Sequence, residues 1–127
     1  MPQSVDGKPA ADNWDRVFDA LSAEPRRQIV VSLRDAAPDD ALELPDAAVT
    51  ARTPADRDRF ATSLYHRHLP ALATPEYVEW DRDRGLVRRG PNFDHVAAVF
   101  RAVYADASAL PPALVDGCRG LERRHRD

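Results

Sequence analysis

Within the segment TPADRDRFATSLYHRHLPAL, Thr53 to Leu72, five polar side chains fall on one side when residues are placed about 100° apart around a helix. They are Arg59, Thr62, Ser63, His66 and Arg67. Two guanidinium groups, two hydroxyls and an imidazole on one helix face are suited to phosphate oxygens and to base edges. Phe60, Ala61, Leu64, Tyr65, His68, Ala71 and Leu72 share the other side and should turn towards a core. The plain alternative for the polar side is a solvated helix surface with scattered charge.

A second group of arginines follows directly. In PEYVEWDRDRGLVRR, the run Tyr77-Val78-Glu79-Trp80 and the run Leu86-Val87-Arg88-Arg89 flank a polar turn that ends in Gly85. Aromatic and β-branched residues on either side of such a turn predict a β-hairpin. Arg82, Arg84, Arg88 and Arg89 would lie near its tip and outer edge, within reach of a phosphate backbone or a minor groove. A charged, solvated turn is the simpler reading of Asp81 to Arg84.

The element that must hold the first group is a helix with a clear start. Thr53 is a candidate N-cap, Pro54 suits the first helical position, and Asp56 sits beside the positive end of the dipole. Pro70 falls inside the pattern. It removes the amide that would bond the carbonyl of His66, so the last turn should kink or end early. His68 lies mid-way on the apolar side and is expected to be a buried, hydrogen-bonded core histidine. His66 and His68 differ by roughly 200° around a helix and cannot chelate one ion together.

Other chemistries find little support. The chain has no Gly-rich phosphate loop, no nucleophile elbow and no HExxH or CxxC spacing, so no enzymatic activity, no catalytic residue, no metal and no cofactor are expected. Cys118 is the only cysteine, so an internal disulfide is excluded. No long apolar run and no basic-then-apolar leader occur, and a soluble cytoplasmic protein is expected.

The net charge of −3 is unevenly spread. Residues 1–49 carry five basic and ten acidic side chains, residues 50–92 eight and six, and residues 93–127 five and five. The helix-and-hairpin region is therefore the net-basic part of an acidic chain, as a nucleic-acid face on such a chain would be. Seventeen Arg stand against one Lys, and sixteen Asp against five Glu. That bias resembles proteins of salt-loving microbes with GC-rich genomes. In a salty cytoplasm counterion release contributes little, and direct contacts matter more than a modest basic patch.

The rest of the chain reads as helical, and 127 residues suffice for one domain. Residues 1–11, with Pro2, Gly7 and Pro9, read as a disordered leader. Trp14, Val17, Phe18 and Leu21 form one apolar stripe of a first helix after Asp12. Ser22 can cap a second, with Pro25 in its first turn and Ile29, Val30 and Leu33 buried. Pro38, Asp39 and Asp40 end it. Pro45 opens a short third helix through Ala47, Ala48 and Val49. Asn92 caps a fifth helix with Val96, Val99, Phe100 and Val103 on one face and Tyr104 beside it. In the tail 108–127, Pro111-Pro112 starts a possible helix with Leu114, Val115, Cys118 and Leu121 on a stripe weakened by Gly117 and Gly120. Alternatively Arg119, Arg123, Arg124 and Arg126 make it a mobile basic end.

Helix, helix, short helix, long helix, hairpin, helix is the order of a winged helix-turn-helix domain. LSAEPRRQIVVSL, Leu21 to Leu33, resembles the second-helix entry of arsenic-repressor-type (ArsR-like) regulators. SLYHRHLPALATPEYVEW, Ser63 to Trp80, resembles their recognition-helix ending and first wing strand. YHRHLPAL is more closely similar to the His-x-His-Leu-Pro-x-Leu element of small uncharacterised winged-helix proteins of halophilic archaea. The resemblance covers Trp14 to Arg89, and departs from the metal-sensing members because the helix has no Cys and no matching ligand pair occurs near the C-terminal helix.

The expectation is therefore a mainly α fold of about five helices plus a two-stranded wing, a winged helix-turn-helix domain over 12–107. Its expected role is sequence-specific, double-stranded DNA binding as a transcriptional regulator, with the 54–72 helix in the major groove and the 77–89 wing on the flanking backbone. A homodimer through Trp14, Phe18, Val96, Phe100, Val103 and Tyr104 would bring two copies to successive grooves. The alternative is a winged-helix protein-interaction module that makes no direct contact with DNA.

Overall fold

The structure is a computed structural model that describes residues 8–116 and Leu121. The expected tail contributions of Gly117, Cys118, Arg119, Gly120, Arg123, Arg124 and Arg126 lie outside the described residues. So do residues 1–7 of the expected leader.

Helix α1 (Lys8–Ala20) starts earlier than expected, so residues 8–11 are helical rather than leader. Pro9 is tolerated in a first turn, and Ala10 and Ala11 are strong helix formers. The helix turns Val17 and Ala20 inward, whereas Trp14 and Phe18 are 51% and 60% exposed. The expected single apolar stripe is thus split. Trp14 and Phe18 stack on each other one turn apart, with ring centroids 5.5 Å apart.

Helix α2 (Glu24–Asp35) follows, with Pro25 in its first turn and Ile29, Val30 and Leu33 buried as expected. Ser22 does not cap it. Its hydroxyl donates to the Asp19 carbonyl at 2.7 Å and closes α1 instead, while Ala23 occupies the N-cap position. Past the 36–41 turn, β1 (Leu42–Glu43) precedes a single 3₁₀ turn (Asp46–Ala48) where a third helix was expected. Ser32 Oγ donates to the Ala47 carbonyl at 2.8 Å and ties that turn to α2.

The long helix is built of α3 (Arg57–Ser63), a π-helical segment (Leu64–His68) and α4 (Leu69–Ala73). Its N-cap is Asp56, not Thr53: the Asp56 carboxylate accepts the Arg59 amide at 3.1 Å. Thr53 Oγ1 is engaged by the Thr50 amide at 2.8 Å in the preceding turn, so it is unavailable as a cap. Pro70 neither ends nor sharply stops the helix. The distortion sits one turn earlier, where the chain widens and the Leu69 amide donates to the Leu64 carbonyl. Widening makes room for the proline ring beside the His66 carbonyl, the clash a regular α-helix would force.

The helix ends in a Schellman arrangement. The Glu76 amide donates to Ala73 O at 2.9 Å and the Tyr77 amide to Leu72 O at 3.1 Å. Glu76 holds the left-handed position, φ 64°, that glycine usually fills. Strands β2 (Val78–Asp81) and β3 (Leu86–Arg89) then pair antiparallel through a turn with Gly85 at φ 67°. β1 pairs with the other edge of β3, giving a three-stranded antiparallel sheet of order β1-β3-β2 rather than the expected two strands. Two residues of β1 carry too little periodic signal to be read from sequence. Gly90 is required by close approach, because a Cβ there would lie 2.5 Å from the Glu76 carbonyl oxygen.

The molecule is thus mainly helical with a small antiparallel sheet. It divides at Val96/Ala97 into two compact units. In the first, Ile29, Val30, Leu33, Leu64, Leu69, Leu72, Tyr77 and Val87 are all at most 1% exposed and form the core. Helix α5 (Phe93–Ala105) crosses the boundary, its first turn contributing Phe93 and Val96 to the buried set. Asn92, the residue before α5, donates its side-chain amide to Pro75 O at 3.1 Å, and its backbone carbonyl accepts the His95 amide at 3.0 Å. In the second unit Phe100 meets Tyr104 edge-on at 5.6 Å, and Ala107 and Val115 are buried.

Candidate nucleic-acid interface

The polar side of the 57–73 helix is largely open. Arg59, Thr62, His66 and Arg67 are exposed. Ser63 departs from the group: it is half-buried, and its hydroxyl lies 3.4 Å from His68 Nε2. Arg67 stands at the C-terminal end of this face, where it borders a groove shared with α1.

Behind this face, His68 is buried and hydrogen-bonded, as expected from its position on the apolar side. Its partner comes from α2. Arg26, only 5% exposed, donates Nε–H to His68 Nδ1 at 3.0 Å and an Nη1 hydrogen to Asp19 O at 2.6 Å. An arginine can only donate, so Nδ1 must be the unprotonated nitrogen and the ring proton resides on Nε2, facing Ser63. Burial, then the positive charges of Arg26 and Arg67, hold the His68 pKa below its ordinary 6.5. A neutral histidine thus links α1, α2 and the π segment. The signal for Arg26 was present: it lies three and four residues before Ile29 and Val30, on the buried stripe of α2.

The hairpin presents its arginines unequally. Val78, Trp80, Val87 and Arg89 alternate onto the inner face, and Glu79, Asp81, Leu86 and Arg88 onto the outer. Arg88 is exposed and directly opposite Glu79. Arg84 is exposed at the turn, with Nε 3.9 Å from the Asp81 carboxylate. Arg82 lies over the Trp80 ring, its guanidinium carbon 4.4 Å from the centroid. Trp80 in turn stacks on Tyr65 with rings nearly parallel, 5.9 Å apart. That aromatic pair fixes the hairpin against the π segment and sets where Arg82 sits relative to His66 and Arg67.

Arg89 does not lie on the outer edge. Its guanidinium donates to the carbonyls of Leu33 at 2.9 Å, Arg34 at 3.2 Å and Ala36 at 3.0 Å, closing the C-terminal end of α2 while stacking over Phe93. Its inward direction follows from strand alternation with buried Val87. Its role is to satisfy terminal carbonyls at the negative end of a helix dipole.

Of the residues expected at a dimer contact, Trp14, Phe18 and Val103 are exposed and Tyr104 is half-buried. Val96 and Phe100 are 0% and 7% exposed within the chain, so they have no free surface to offer a partner. The apolar stripe of α5 is thus covered at Val96 and Phe100 but open at Val103. Among the described residues there is no group of three or more His, Cys, Asp or Glu able to hold a metal ion, and no helix long and apolar enough to cross a membrane.

The fold and this face define a class: a small helical domain whose long helix and antiparallel ribbon jointly display an arginine-bearing surface. The family described as a domain of unknown function, DUF7344, matches residues 18–88, more than half of the chain, and the protein belongs to that family. The matched stretch runs from the end of α1 to β3 and so contains both the long helix and the hairpin. No curated protein and no solved structure matches the chain.

Proposed function

We propose that the protein is a sequence-specific, cytoplasmic DNA-binding transcriptional regulator of the winged helix-turn-helix type. The 57–73 helix enters the major groove and the hairpin tip meets the flanking backbone. The observation that carries the reading is the joint exposure of Arg59, Thr62, His66 and Arg67 beside an antiparallel ribbon bearing Arg82, Arg84 and Arg88. Ser63 drops from the contact set, because its hydroxyl serves His68. The element order, with a short turn between α2 and the long helix, also suits this reading.

The regulator works as a homodimer in which the exposed Trp14–Phe18 pair of α1 meets its copy. Two large aromatic rings left to solvent on a small domain support such a contact.

Gel-shift or genomic footprinting at the source organism's own salt tests the DNA contact. Wild type should be retained on its sites, and an Arg59→Ala/Arg67→Ala variant should lose at least tenfold in affinity. No retention of wild type, or full retention of the variant, rejects the proposal and favours the protein-interaction alternative.

A further inference from the structure

A groove of about 710 Å³ runs between α1 and the C-terminal half of the long helix and ends at the 75–77 turn. This volume lies within the range of roughly 300–1,000 Å³ usual for small-molecule sites. Arg16 enters it from α1 and Arg67 from the π segment. Among the described residues the Arg67 side chain has no hydrogen bond or ion pair, and the Arg16 side chain has only a 3.3 Å bond to Asn13 Oδ1. Two guanidinium groups from different helices therefore face one cleft with most of their donors unspent.

Two acids also line the groove. Asp19 has its carboxylate 3.9 Å from Arg26, and Glu76 is exposed at its left-handed turn. The floor offers an apolar body: Pro70, Ala71 and Pro75, with Tyr77 and His95 meeting edge to face at 6.3 Å. A flat apolar group beside paired cationic forks is the chemistry that receives a compact organic carboxylate.

We propose that this groove binds a small organic anion, a carboxylate on a flat or compact apolar body, with Arg16 and Arg67 holding the carboxylate. Arg67 belongs both to this groove and to the exposed face of the long helix. Resting on the DNA-binding reading, the second part of the inference is that the bound anion draws Arg67 into the groove and weakens DNA binding.

Benzoate serves as the probe. Two-dimensional NMR titration of the full chain, at constant ionic strength with chloride as the replaced ion, should show saturable shifts at Arg67, Thr74 and Tyr77. Arg16→Gln should weaken benzoate binding at least tenfold, while Arg88→Gln, on the hairpin's outer face, should leave it unchanged. Absence of saturation, equal shifts with added chloride alone, or undiminished binding by Arg16→Gln overturns the site. A folded-state spectrum for Arg16→Gln separates lost binding from lost fold, and Arg16→Lys, which keeps the charge but not the fork, should bind at an intermediate level. Saturating benzoate should lower DNA retention at least fivefold in wild type and not in Arg16→Gln; unchanged wild-type retention overturns the coupling. Failure of wild type to bind DNA without benzoate refutes the DNA reading and the coupling, while the NMR titration still decides the groove.

Discussion

Replacing His68 tests the internal link that supports the exposed face. The imidazole is 6% exposed, and its Nδ1 is the acceptor for the Nε–H of an arginine that is itself 5% exposed. His68→Leu removes that acceptor and leaves a buried guanidinium hydrogen without a partner. A hydrogen bond to a charged group contributes about 1.5–3 kcal/mol, so the variant should lose about 2–3 kcal/mol. At a urea slope of about 2 kcal/mol per molar, the unfolding midpoint should fall by about 1–1.5 M. His68→Asn keeps an acceptor close to the Nδ1 position and should lose less. Arg26→Met combined with His68→Leu removes both partners, and should be less damaging than His68→Leu alone.

The same residue sets a pH dependence with a definite sign. Its folded-state pKa is depressed, so the folded chain binds fewer protons than the unfolded chain once pH falls below about 6.5. The stabilisation is complete above that value and is lost as pH drops, at no more than about 1.4 kcal/mol per pH unit. Urea melts at pH 7.5 and 5.5, at matched salt, should therefore show a larger acid-side loss in wild type than in His68→Asn. Every other titratable group is common to both chains and cancels in the comparison. An unchanged midpoint for His68→Leu, or identical acid-side losses in wild type and His68→Asn, would refute the assigned tautomer and the arginine–histidine bond.

Two further outcomes concern single positions. Glu76→Gly relieves a left-handed backbone that costs a side-chain-bearing residue about 1–2 kcal/mol, partly offset by glycine's greater unfolded-state freedom, so thermal unfolding should rise by about 2–4 °C; a fall would count against the Schellman ending. Arg89→Met strips the guanidinium bonds to three carbonyls at the end of α2 and should cost about 2–3 kcal/mol in urea melts while leaving the DNA affinity of the folded fraction unchanged. Loss of affinity with unaltered stability would instead place Arg89 on the DNA face.

What the residues determined alone is the local periodicity. The 3.6-residue spacing of Ile29, Val30 and Leu33, and of Phe60, Leu64 and His68, placed the buried sides of two helices because burial follows the helical repeat. Alternation around Trp80 and Val87, with Gly85 between, likewise specified the hairpin. Tertiary structure decided what has no period. The Thr50 amide claimed Thr53, so the cap moved to Asp56. Leu42 and Glu43 became a strand only because the free edge of β3 was beside them. Pro70 widened the preceding turn instead of ending the helix, since Leu69 and Leu72 stay anchored in the core on both sides of it. Arginine was the least legible residue type: Arg26, Arg89 and Arg82 are chemically alike in sequence, yet one meets a buried imidazole, one closes a helix end and one lies on an indole. A guanidinium on a long, flexible stem takes whichever partner the packed chain leaves within reach, and only the assembled fold decides that.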